Sequence, residues 1–282
     1  MKIIDAHMHL SNIQSFIDTA DKLSKVHYSA EGLAKEYREA NVVLGIGMGL
    51  EETEKNGFPD RKTITPMGLD MPGQTSFVYC AGINPYDLGA EALGRLEETV
   101  LKPGVVGIKI YLGYYPFYAY DSVYEPVYKL AAKYQLPVVF HTGDTYSQRG
   151  LLKYSHPLTI DEAAVAYQDV QFVMAHFGDP WTLTGAELIY KNPNVYADLS
   201  GLVVGTEEEL LKREKGRYLD HLRHALEFAD SYHKLIFGTD WPLAPVAPYV
   251  RLIKKLIPEE FHQQVFYDTA IKVFPKIKPY IN

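Results

Sequence analysis

Two histidines spaced two apart, His7 and His9, close a short apolar run in the order Asp5-Ala6-His7-Met8-His9. Side chains of an extended strand alternate between its faces, so both imidazoles point the same way. Paired imidazoles on one face make poor core packing and a good half of a metal site. Three more apolar runs end in residues of the same kind: Val138-Val139-Phe140-His141, Phe172-Val173-Met174-Ala175-His176 and Ile236-Phe237-Gly238-Thr239-Asp240. Singly, each is compatible with a satisfied polar residue at a strand end. Together, imidazoles and a carboxylate suit a borderline divalent ion such as Zn²⁺, with one coordination position left to water. Such an ion brings the pKa of its water toward about 7. A carboxylate touching both ion and water can take the proton and return it to a leaving group.

Groups this distant in sequence act together only if the fold gathers strand ends. Strand candidates are Lys2–His7, Val42–Gly47, Ser76–Ile83, Val105–Tyr111, Pro137–His141, Gln171–His176, Asn194–Leu199 and Lys234–Asp240. Between them, helix-patterned stretches include Glu31–Ala40, Leu88–Leu101, Val123–Gln135, Ile160–Gln168, Leu183–Lys191 and Glu207–Ala229. The interior strands are apolar throughout rather than alternating, as strands covered on both faces should be. From His7 to Asp240 the seven steps average about 33 residues, the size of one strand–helix–strand unit. Eight such units predict an α/β fold, a single-domain (β/α)8 TIM barrel over residues 1–282, with reactive groups at the C-terminal strand ends. A doubly wound open sheet is the competing architecture; polar residues gathered at one end of the strands favour the barrel. Two stretches depart from the repeat. Residues 48–75 form an inserted Gly/Pro-punctuated loop after the second strand, and loops of that length are usually functional or disordered. Residues Tyr111–Tyr120 concentrate Tyr111, Tyr114, Tyr115, Phe117, Tyr118 and Tyr120, a composition suited either to walling a pocket or to packing over the barrel mouth.

Composition narrows the function classes. The 282 residues are 47% hydrophobic and 22% charged with a net charge of −7, and no Lys/Arg block points to nucleic acid. The single cysteine, Cys80, excludes an internal disulfide and reads as a buried, inert thiol. No apolar run is long enough to span a membrane, and the apolar start is too short for a signal peptide, so the expected location is cytoplasmic. Gly45-Ile46-Gly47-Met48-Gly49 follows a strand without opening a helix, and Glu51, Glu52 and Glu54 would repel phosphate, which argues against a dinucleotide loop. His27, His221, His224, His233 and His262 read as surface residues.

The segments GIKIYLGYYP, LPVVFHTGD, AHFGDPW, NVYADLSG and LIFGTDWP, taken in order with the His-X-His, resemble the amidohydrolase superfamily. The similarity runs from Ile4 to about Thr269. It is strongest to the amidohydrolase-related branch that includes aminocarboxymuconate-semialdehyde decarboxylase and several lactonases. The resemblance implies one divalent metal, zinc with manganese as the alternative, ligated by His7, His9, His141 and Asp240. It implies that His176 hydrogen-bonds the metal's water or polarises the substrate, and that Asp240 is also the catalytic base. A strand-four lysine becomes carboxylated and bridges two metals in other branches. In this branch Lys109 is expected to stay an ammonium. Substrate-binding candidates are Lys109, Tyr111 and Arg149. The expected activity is metal-dependent hydrolysis of an amide, ester or lactone bond in a small molecule. Non-oxidative decarboxylation of an unsaturated or aromatic acid is the alternative, and a non-catalytic ligand-binding barrel is a further one that loss of a ligand would mark; none is lost. The only partner implied is the small-molecule substrate, with no nucleic acid and no membrane, and a homo-oligomer is left open.

Overall fold

A computed structural model describes residues 1–11, 13–49, 51–53, 63–66 and 77–281. Eight parallel strands follow one another around the molecule in chain order: β1 (Ile3–Met8), β2 (Val42–Met48), β3 (Phe77–Gly82), β4 (Val105–Tyr111), β5 (Val138–His141), β6 (Phe172–Met174), β7 (Val195–Asp198) and β8 (Leu235–Ile236). No strand departs from sequential order, as right-handed crossovers wound around a barrel require. Between β8 and β1 the ring is drawn together by Ala6 N–H to Phe237 O at 2.9 Å, Asp240 N–H to His7 O at 2.8 Å and His9 N–H to Trp241 O at 2.6 Å. The TIM barrel expected from the strand–helix repeat is therefore the fold. Within the expected insertion, Glu51–Thr53 pairs antiparallel with Thr63–Pro66. Residues 50, 54–62 and 67–75 of it lie outside the described residues.

Two apolar layers hold the barrel. Inside, Leu44 and Ile46, Val78 and Cys80, Val106, Val139, Val173 and Ile236 pack against Val273, Phe274 and Ile277 of the C-terminal segment. That segment covers the N-terminal ends of the strands, where Lys2 Nζ donates to Ile281 O and Tyr280 approaches Gly104. Cys80 is fully buried and its thiol is pushed up to about 12 by that burial, in keeping with an inert role. Outside, Ile108, Ile110, Phe140 and Phe172 meet apolar helix faces that include Leu33, Val127, Tyr128 and Ala131. Among the described residues no helix is long and apolar enough to cross a membrane.

A bulge in β1 decides which way the two strand-one histidines face. The ladder to β2 steps from Asp5↔Gly45 to Met8↔Gly47, so β1 uses one residue more than its partner. Ile4 and Ala6 sit in the inner layer, Asp5 reaches Tyr37 on the outer helix Ala30–Ala40, and Met8 belongs to the outer layer. An unbroken alternation would send His7 and His9 outward with Asp5. The extra residue reverses the parity and turns both imidazoles into the barrel mouth.

Three expected boundaries need correction. The stretch Glu207–Ala229 is two helices, Glu207–Lys215 and Asp220–Ala229, the first opened by a Thr206/Glu209 capping box and closed at Gly216. Glycine is a poor helix interior residue, and Asp220 begins a new first turn paired with Arg217 and Arg223. The eighth strand keeps its ladder only over Leu235–Ile236, and the sixth stops at Met174. In both, the chain turns left-handed at the last residue expected of the strand, with φ of 59° at Asp240 and 60° at His176. With Val173 inside and Met174 outside, unbroken alternation would send His176 outward, and the turn brings it over the mouth instead.

Because Phe274 fills the inner layer from below, Phe274→Ala should cost about 3–5 kcal/mol through an uncollapsed cavity. Urea unfolding followed by circular dichroism measures it. A loss under about 1 kcal/mol would mean that the segment does not seal the barrel.

Candidate metal centre and active site

Strand ends and the turns after them bring His7, His9, His141, His176 and Asp240 together. His9 Nε2 lies 3.1 Å and His7 Nε2 3.5 Å from Asp240 Oδ1. One donor atom from each of these three buried residues falls within 4.8 Å of the others. His7 Nε2 and Asp240 Oδ1 are buried with no hydrogen-bond partner among the described residues. Buried polar atoms are rarely left so, and a donor set converging on one point has the arrangement a cation requires. His141 joins from β5 with its Nδ1 3.3 Å from His176 Nε2.

Partners on the far side of three of the four rings fix their tautomers, while His9 Nδ1 is buried with no hydrogen-bond partner among the described residues. Asp198, at the end of β7, accepts from His7 Nδ1 at 2.8 Å, from the Ser200 hydroxyl at 2.5 Å and from the backbone N–H groups of Ser200 and His176 at 3.0 and 3.1 Å. An ionised carboxylate only accepts, so His7 carries its proton on Nδ1 and presents a lone pair at Nε2. His141 donates Nε2–H to Asp144 O at 2.9 Å, leaving Nδ1 as the lone pair. His176 donates Nδ1–H to Ser200 O and Oγ, both at 3.0 Å, leaving Nε2 as the lone pair. The contact between His141 and His176 thus opposes two lone pairs, a repulsion that a shared cation or proton removes. Asp198 also lies close to His7 and His176 as a second donor group. Its four accepted bonds give it the character of a residue that orients its neighbours.

Electrostatics support the same assignment. Burial, joined by the charge of Lys109, lowers His7 to about 4; burial also lowers His9 and His141. Burial alone would raise Asp240, yet its neighbours His176, His9 and His7 hold it far below the ordinary carboxylate range. Asp198 is likewise held low against its burial, chiefly by His7. Neutral imidazoles beside ionised carboxylates are the protonation states a divalent ion selects. Lys109 is fully buried, without a hydrogen-bond partner among the described residues, and burial lowers it to about 8 against the pull of Asp198 and Asp240.

Local sequence explains the close packing. Gly201 has φ of 67°, and a Cβ there would come within 2.7 Å of Asp240 Oδ2 and 3.0 Å of His176 Nδ1, so only glycine fits between them. His176, Phe177 and Asp240 adopt left-handed backbone conformations, which cost non-glycine residues roughly 1–3 kcal/mol each and cluster at functional sites.

A cavity of about 310 Å³ opens over these groups. Phe16 stacks on His9 at 4.5 Å, Tyr114 meets His141 edge-on at 4.7 Å, and Lys109 lies 5.1 Å from the Tyr111 ring. Lys109 and Tyr111, both expected to bind substrate, line the cavity; Arg149 is exposed in the turn after β5 and is not among the lining residues. Arg213 lines it instead, its guanidinium 4.3 Å from the Tyr218 ring. His221, read as surface, lies 2.7 Å from Asp179 of the cavity wall. Sequence reasoning assigned no role to Asp198, Ser200, Arg213 or Tyr218. The position of Asp198 at a strand end within NVYADLSG was a usable signal. Arg213 gave none, because it sits on a helix already rich in Glu and Lys.

Asp198→Asn keeps the shape of the side chain but lets the His7 proton move between ring nitrogens. Zinc affinity, measured by competition with a chromophoric chelator, should fall about 10–100-fold while the circular dichroism spectrum stays unchanged. Unaltered affinity would remove Asp198 from the ligand-orienting role.

Comparison with known proteins agrees with this geometry. The protein is similar over 98% of its length to 99% of an uncharacterised TIM-barrel protein of Bordetella bronchiseptica, at 17% identity and a TM-score of 0.72. It is similar over 97% of its length to 99% of 5-carboxyvanillate decarboxylase from Sphingomonas paucimobilis, at 16% identity and a TM-score of 0.64. It is also similar over 98% of its length to the whole (100%) of a probable 2-pyrone-4,6-dicarboxylic acid hydrolase of Acinetobacter baumannii, at 15% identity and a TM-score of 0.62. At such identities these likenesses establish the fold alone. Among curated protein sequences no relative matches. The amidohydrolase family model matches residues 4–276, nearly the entire chain. On that match, and with a metal-type donor set where the barrel strands end, the chain belongs to the amidohydrolase family.

Proposed function

We propose that this amidohydrolase-family enzyme hydrolyses an amide, ester or lactone bond of a small molecule, using one divalent ion held by His7, His9, His141 and Asp240. Zinc is the first candidate for the ion and manganese the second, since imidazole and carboxylate donors suit both. When bound, the ion supplies Lewis-acid polarisation of a carbonyl and acidifies a coordinated water. The observation that carries the hydrolytic reading is an ionised carboxylate beside an oriented imidazole at the cavity wall. Asp240 Oδ2 lies 3.9 Å from His176 Nδ1, whose proton Ser200 holds, and the ring's lone pair on Nε2 lies 3.3 Å from His141 Nδ1. Asp240 takes a proton from the attacking water and returns it to the leaving group. His176, its Nδ1–H held throughout by Ser200, accepts a hydrogen bond from that water at Nε2 and orients it for attack. The Lys109 ammonium adds a buried positive charge at the cavity floor. Phe16 and Tyr114 cover His9 and His141 and keep bulk water from the donor set.

Decarboxylation of an unsaturated or aromatic acid is a second reading, and Arg213 is the observation that favours it. A carboxylate that departs must first be seated, which a guanidinium does well. Arg213 stands at the cavity margin, stacked on Tyr218. The likeness to both a decarboxylase and a hydrolase is compatible with either reaction.

The purified protein should carry close to one divalent ion per chain by elemental analysis, and His7→Ala or His141→Ala should weaken its binding by orders of magnitude. Unchanged metal in both variants would overturn the ligand assignment. A screen of simple lactones, esters and carboxylic acids identifies a working substrate, and turnover in ¹⁸O-water then separates the reactions. Label in a product carboxylate is expected. Release of CO₂ with no label in the organic product would establish the decarboxylase instead. With the working substrate, Asp240→Asn should lower kcat by at least about 100-fold.

A further inference from the structure

We propose that the Thr239 hydroxyl, backed by Asp5, Tyr37 and Glu36, is a clamp that holds Asp240 in its left-handed backbone conformation and so positions the carboxylate for metal binding. The proposal rests on the assignment of His7, His9 and Asp240 as metal donors. Thr239 is fully buried, and its hydroxyl bridges the residues on either side of Asp240. It donates to Asp5 Oδ2 at 2.6 Å and accepts from Trp241 N–H at 3.0 Å. Thr239 N–H donates to Asp5 Oδ1 at 2.9 Å. The 238–239 and 240–241 peptides, on the two sides of the φ of 59° at Asp240, are therefore tied to one buried carboxylate, the first directly and the second through the hydroxyl. A non-glycine residue stays in that region only when its surroundings over-determine it.

The clamp is anchored outside the barrel. Tyr37 donates its hydroxyl to Asp5 Oδ2 at 2.9 Å, and Glu36 accepts from Trp241 Nε1 at 3.2 Å and from Val246 N–H at 2.7 Å. Two adjacent residues of the helix Ala30–Ala40 thus grip the two sides of Asp240: Tyr37 through Asp5 and Thr239, Glu36 through Trp241. Asp5 also accepts from His7 N–H at 3.3 Å, and Trp241 O receives His9 N–H at 2.6 Å, so the same network reaches the backbone of all three donors. None of the four clamp side chains lines the cavity. They are positioning residues.

The test is titration of the metal-free protein with Co²⁺, read by its visible absorption, which reports both affinity and ligand geometry. Thr239→Val removes the hydroxyl at constant volume and should lower Co²⁺ affinity about 10–100-fold with an altered visible band, and Thr239→Ser should restore both. Tyr37→Phe and Glu36→Gln, farther from the donors, should give smaller losses in the same direction, and they carry the test if Thr239→Val does not fold. Tyr128→Phe, which removes a buried hydroxyl bonded to Ala119 O away from the site, is the control and should lower thermal stability without changing Co²⁺ affinity. The clamp is refuted if the Thr239, Tyr37 and Glu36 variants behave like that control. Wild-type protein that takes up no Co²⁺ and no Zn²⁺ would overturn the donor assignment itself, and the clamp with it.

Discussion

The seam between β8 and β1 is the contact on which the rest of the site depends. Seven of the eight strand junctions are ordinary parallel ladders. The eighth is made where β8 has already ended, by backbone bonds between residues 6–9 and 237–241. Because β1 carries His7 and His9 while the returning chain carries Asp240, closing the barrel and assembling the donor set are one event. The β1 bulge makes this productive: it faces both histidines inward at the height where Asp240 arrives. Elsewhere a one-residue irregularity would leave only a kink.

Placing this many polar groups at the top of an apolar barrel is costly unless each is bonded. The structure meets that requirement asymmetrically. The outer nitrogen of His7, His141 and His176 is satisfied by Asp198, Asp144 O and Ser200 respectively. On the inner side, His7 Nε2, Asp240 Oδ1 and Lys109 Nζ have no hydrogen-bond partner among the described residues. Three rings are satisfied behind and the groups in front are not, the pattern of a site prepared for a ligand, and burial lowers the basicity of the imidazoles against the bonds behind them. Stability and function are divided along the barrel axis. The lower interior is Leu, Ile and Val sealed by the C-terminal segment, and the upper interior is His, Asp and Lys.

Much of this was legible in the chain. The near-regular spacing of apolar runs gave eight strands in their correct places, since strands covered on both faces need continuous apolar sequence whatever their neighbours are. His7, His9, His141, His176 and Asp240 were recognisable because polar residues ending otherwise apolar runs are conspicuous. The extents of β6 and β8 were less legible. Their last residues look like strand, and the left-handed turns at His176 and Asp240 arise from bonds to Asp198, Thr239 and His7 that no local pattern encodes.

By itself the sequence determined the barrel and the strands at whose ends the histidines and Asp240 stand, because both follow from periodicity and residue type along the chain. Only the tertiary structure decided the inward facing of His7 and His9, the ring nitrogen each imidazole presents, and the presence of Arg213 rather than Arg149 at the cavity. Each of those depends on contacts between residues far apart in the chain: a bulge defined against a neighbouring strand, a proton fixed by Asp198 from β7, a helix packed over the mouth. A linear pattern carries residue type and local period. It carries no information about which distant partner completes a hydrogen bond, and here those bonds set the orientation of His7, His141 and His176.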